Sequence, residues 1–165
     1  MQAYLSFFDK LNKLIENVGY ETKYKLALNI CQKLYPDFVN YAFKNNSGDA
    51  ALLKDAIVFC EQSQSESINL EMLDNLILKI ASIIPDSNDF LNWNVSYAVN
   101  ASTAVLELLS FLKDSKDEHI SEICSLQIDS IDFKIAEANE NISDDGIFKH
   151  PMMLETMKEI LDQII

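Results

Sequence analysis

Arginine is absent from this 165-residue chain, so its 13 basic residues are all lysine. Without the planar guanidinium the surface is poorly equipped to grip phosphate, and the lysines are scattered rather than gathered on one face. Composition therefore argues against nucleic-acid binding. Glycine and proline occur three times each, which leaves room for long regular elements and short connections. Gly19, Gly48 and Gly146 stand singly, so no glycine-rich loop is available to cradle a phosphate.

Cysteine and histidine are equally sparse. Cys31, Cys60 and Cys124 are odd in number, far apart and form no C-x-x-C pair. They read as small buried hydrophobes kept reduced in a cytosol. The residues three before His119 and His150 are Lys116 and Ile147, so the Glu-x-x-His pair of di-metal helical bundles is missing. His119 and Cys124 lie about 140° apart around a helix and do not meet. His119 reads as a surface histidine in a first turn, and His150, before Pro151, leads into a helix. The loop from Asp86 to Asp89 has oxygen ligands but lacks the rest of a calcium-binding pattern.

Long apolar runs are missing too. No uninterrupted stretch reaches the roughly eighteen residues that mark a membrane span. Asp9, Lys10 and Lys13 interrupt the amino-terminal segment where a signal peptide would be apolar. The expectation is a cytoplasmic protein with no membrane association.

Acid is what the chain has in abundance. Its net charge is −13, and the two halves differ sharply. Residues 1–84 carry ten carboxylates and eight lysines, whereas residues 85–165 carry sixteen and five. Ten of the acids fall between Asp114 and Asp145, against only Lys116 and Lys134. Such a field repels phosphate and anionic lipid and steers basic partners inward.

The remaining pattern is helical, with no sustained two-residue alternation to mark a strand. Apolar residues at three- and four-residue spacing predict helices over 4–18, 21–35, 49–60, 70–84, 94–112, 117–138 and 151–164. Pro36 is expected to end the second helix and to open a short one over 36–43. Residues 139–149 are expected to form an acidic loop turning at Asp144-Asp145-Gly146. The fold class is all-α, a compact single-domain bundle of seven or eight helices over residues 1–165. The helix over 94–112, alanine-rich then leucine-rich, should be central. On the helix over 117–138, Glu118, Glu122, Asp129 and Asp132 fall within about a quarter-turn, opposite the isoleucine stripe.

Five segments, CQKLYPDFVNYA (31–42), NNSGDAALLKDAI (45–57), IPDSNDF (84–90), AVLELLSFL (104–112) and HPMMLETMKEILDQI (150–164), occur in an order and spacing that resembles the YjaG-like bacterial family of unknown function, DUF416. The resemblance runs from Glu21 to Ile164. Its most specific marks are Tyr35-Pro36, Gly48-Asp49 and Ile84-Pro85 followed by Asp86 and Asp89. It implies a compact all-helical bacterial domain and no catalytic set. The chain departs from the family in lacking arginine.

The functional expectation is a non-enzymatic protein-binding domain with no catalytic residue, cofactor or metal. Its partner would be a protein with a basic surface, in the most concrete form a cognate toxin neutralised by a bacterial immunity protein. Glu118, Glu122, Asp129, Asp132, Asp144 and Asp145 would meet that partner. Trp93, beside Asp86 and Asp89, would supply an aromatic anchor. The alternative is a housekeeping adaptor or self-associating YjaG-like domain, a homodimer paired through apolar helix faces.

Overall fold

The computed structural model describes residues 2–63, 68–86 and 92–165. Among these residues there are eight helices and no strand. In chain order they are α1 (Gln2–Asn17), α2 (Tyr20–Asn45), α3 (Ala50–Ser63), α4 (Leu70–Ile83), α5 (Trp93–Asp114), α6 (Asp117–Ala138), α7 (Asp144–Phe148) and α8 (Pro151–Asp162). The all-α expectation holds.

α5 is the centre. Asn92 caps its start by accepting from the Asn94 amide at 3.1 Å. Its end is set by Ser115, left-handed at φ 58, whose amide donates to the Phe111 carbonyl at 2.8 Å. Between these caps α5 packs against α2, α3, α4 and α6. Ala98, Ala101 and Ala104 are buried and let neighbouring backbones approach, while Leu108, Leu109 and Phe111 fill the space further along. Each such large side chain contributes about 1.5–3 kcal/mol by leaving water. Buried polar groups on this helix are partnered: Asn100 donates to Ser130 of α6 at 3.0 Å, and the Ser102 hydroxyl to the Ala98 carbonyl at 2.7 Å. α5 has the length and apolarity of a membrane span, yet its apolar window is 67% buried by the other helices. It is a core helix by its surroundings.

Two elements differ from expectation. α2 is one continuous helix with Pro36 inside it, so the predicted break and short third helix do not occur. A helix-interior proline costs about 3 kcal/mol through a lost hydrogen bond and a clash with the preceding turn. Here the apolar stripe continues across it, with Leu34 and Phe38 both buried. The second half is also tied down by Tyr35, which donates to the Ala50 carbonyl at 3.1 Å, and by Lys134 of α6 on Asp37 at 2.8 Å. Packing on both sides of the proline outweighs its local preference.

The second difference is α7. Ser143 accepts from the Gly146 amide at 3.2 Å, so Asp144-Asp145-Gly146 is a capped helical turn rather than a loop bend. Burial of Ile147 holds it to the core. The number of helices matches the expectation, but α7 stands in place of the helix predicted after Pro36.

Other punctuation behaves as its chemistry demands. Asp49 caps α3 by accepting from the Leu52 amide at 2.8 Å. Gly48, before it, sits at φ +89 with the Phe38 ring 3.3 Å from where a Cβ would be, so only glycine fits without strain. His150 caps α8 through Nδ1, which accepts from the Met152 amide at 3.2 Å, and Pro151 occupies the first turn.

Candidate protein-binding surface

α1 lies along α6 with the opposite direction. Asn12 accepts from the Ser121 hydroxyl at 2.9 Å, and Tyr4 stands in the field of Asp129 and Asp132 further along α6. The seam between them is open on one side. A groove of about 420 Å³ runs between Phe8, Asn12 and Ile15 of α1 and Asp117, Glu118 and Glu122 of α6. A second hollow of about 380 Å³ follows at the other end, lined by Tyr4, Asp132, Asp144, Ile147 and Phe148. Tyr4 packs on both Phe8 and Phe148, with centroids 4.7 and 5.0 Å away, so the floor between the two hollows is aromatic.

The acidic stripe is therefore only partly an outer face. Glu118 and Glu122 are exposed, but Asp129 and Asp132 are half-buried beside α1 and α7. Burial raises the Asp129 carboxyl above its ordinary range, and the neighbouring Asp132 and Glu122 add to the effect. Burial raises Asp132 as well, with Asp144 as the next contributor. Tyr4 is pushed up by burial and then by Asp129. Each shift has the same origin, charge drawn from water without a cation to answer it.

Lysines near the seam pair with other acids. Lys23 reaches Asp117 at 2.6 Å, Lys134 reaches Asp37, and Lys149 pairs with Asp145 at 2.6 Å. Among the described residues none of Glu118, Glu122, Asp129, Asp132 and Asp144 has a cation within ion-pair distance. Asp145 differs from the rest, because Lys149 holds its carboxyl below the usual range.

Trp93 opens α5 and is 37% exposed, its ring 5.6 Å from that of Phe133 on α6. Phe133 stands one helical turn beyond Asp129 and next to Asp132, so Trp93 flanks the far end of the stripe. Asp86 lies just beyond α4 and is exposed. Asp89 falls outside the described residues.

Sequence reasoning missed the α1 half of this surface, Tyr4, Phe8 and Asn12. Their apolar periodicity was visible, but nothing in a single helix pattern says which helix it will cover. It also misread His119, which is not a free surface side chain. Its Nδ1 meets Glu107 of α5, and its Nε2 lies 3.1 Å from Asp114, clamping the α5–α6 turn with only 20% of the side chain exposed.

The reactive side chains offer little chemistry. Cys31, Cys60 and Cys124 are free and buried, as expected. Burial pushes the Cys60 and Cys124 thiols up to about 12 and that of Cys31 well above its ordinary value. They are protonated at neutral pH and poor nucleophiles. Among the described residues no three His, Cys, Asp or Glu side chains are grouped to hold a metal ion.

These features define an all-helical fold with an acidic seam where α1 and α7 meet α6. The chain belongs to DUF416, a protein family of unknown function, which matches residues 10–165. It is similar to the uncharacterized protein YjaG of Escherichia coli (strain K12), at 22% identity over 124 residues. That match covers 74% of this chain and 63% of YjaG, so the chain spans less than two-thirds of that relative. A crystal structure of a DUF416 family protein from Shewanella baltica OS155 superimposes with a TM-score of 0.80 at 23% identity. It covers 93% of this chain and 81% of that one, and establishes a common fold. The family match begins earlier than the expected Glu21 and takes in the second half of α1.

Proposed function

We propose that this chain is a non-enzymatic, cytoplasmic protein-binding domain whose acidic seam between α1, α6 and α7 receives a basic protein. The observation that carries this reading is the set of five carboxylates without a cationic partner among the described residues, two of them half-buried. Like charges one turn apart cost a few tenths of a kcal/mol per pair, and partial burial adds to that. Lysines or arginines from a partner would relieve the repulsion on binding. The long-range field would raise the encounter rate by one to three orders of magnitude at low salt.

The most concrete form of the proposal is a bacterial immunity protein that neutralises a cognate toxin with a cationic surface, such as a nuclease. Acids in the seam would then compete for the groups the toxin uses on phosphate, and the aromatic floor and Trp93 would provide apolar anchoring. A pull-down from the native organism tests it, using the wild-type chain beside a variant with Glu118 and Glu122 changed to Gln and Asp129 and Asp132 to Asn. A basic protein retained by the wild type at low salt and lost with the variant supports the reading. Identical retention by both contradicts it.

A second reading, a self-associating YjaG-like domain, rests on the apolar exterior of α4. Leu70 and Leu78 are 62% and 72% exposed and share one side of that helix. Sedimentation that finds a stable homodimer of the isolated chain, abolished by Leu78→Lys, favours this reading over the first.

A further inference from the structure

We draw no further inference here: the strongest candidate outside the acidic seam, the exposed apolar patch of Val39 and Phe43 at the end of the bundle where Lys44 of α2 reaches Asn94 of α5, carries nothing because the structure does not show what covers it.

Discussion

Lys23 of α2 and Asp117 at the start of α6 are 94 residues apart in sequence and form a 2.6 Å ion pair. The lysine is largely covered, with 13% of its side chain exposed. This contact shows how the fold treats acid where it needs it for structure: the helix N-terminus attracts a carboxylate, and a lysine from a neighbouring helix completes the arrangement. Glu118, the next residue, and Glu122, just over a turn further on, have no lysine within ion-pair distance among the described residues. The contrast within one helix is the reason to assign the two sets of acids different roles.

The half-buried Asp129 makes stability depend on pH in a definite direction. Its folded carboxyl titrates above its unfolded one, so its favourable contribution is complete below the unfolded value and is lost as pH rises through the folded value. Asp129→Asn removes that loss. The variant should therefore gain on the wild type as pH rises from about 4, the ordinary carboxylate range, towards neutrality. Urea unfolding across that interval measures the gap. A gap that stays constant, or that favours the wild type at pH 7, contradicts the assignment.

Asp114 should behave in the opposite way. Hydrogen bonds from the Lys116 ammonium and amide, with His119 beside them, hold its carboxyl down to about 2. The contribution is present above the unfolded carboxylate range and is lost as pH falls towards 2. Asp114→Asn is expected to be less stable than the wild type near neutrality, with the two converging in acid. Convergence at neutral pH instead would show that the α5–α6 turn does not depend on this carboxylate.

Pro36 sits within α2, where it leaves the Gln32 carbonyl without its usual helical donor. Pro36→Ala restores that donor at an exposed position, against a modest loss of rigidity in the unfolded chain. An increase in stability of about 1–3 kcal/mol is expected. Thermal unfolding would register it as a higher midpoint. A lower midpoint would mean that proline itself is required at this position for packing.

Tyr24 is buried, and its hydroxyl donates to the Cys60 carbonyl at 2.7 Å in the last turn of α3. Helix-terminal carbonyls lack intrahelical donors, so this bond ties α3 to α2. Tyr24→Phe should cost about 1–2 kcal/mol, seen as a lower urea midpoint at unchanged slope. An unchanged midpoint would show that the carbonyl finds another donor.

Much of the architecture was legible because its signals are local. α5 announces itself by alanine and leucine at helical spacing, and Asp49 and His150 mark helix starts through side chains that bond their own backbone. Pro36 misled because proline's preference is also local, whereas Leu34 and Phe38 pack against other helices. Ser143 escaped notice because Asp144-Asp145-Gly146 satisfies the chemistry of a turn and of a first helical turn alike. The acidic stripe was visible on α6 as an angular cluster. Its depth was not, because half-burial of Asp129 and Asp132 comes from α1 and α7, and a helical wheel holds no information about neighbours.

The central claim is that the uncompensated carboxylates of α6 form a contact surface for a basic protein. The most direct test is the association rate of the captured partner with wild-type chain and with the variant carrying Glu118→Gln, Glu122→Gln, Asp129→Asn and Asp132→Asn, followed as salt is raised. Folding of the variant should be intact or slightly more stable, since four mutually repelling charges are gone. Its association should be at least about tenfold slower at low salt, with a flatter dependence on ionic strength. An equal rate and an equal salt slope for the two proteins would contradict the claim and leave the stripe as a solvated surface.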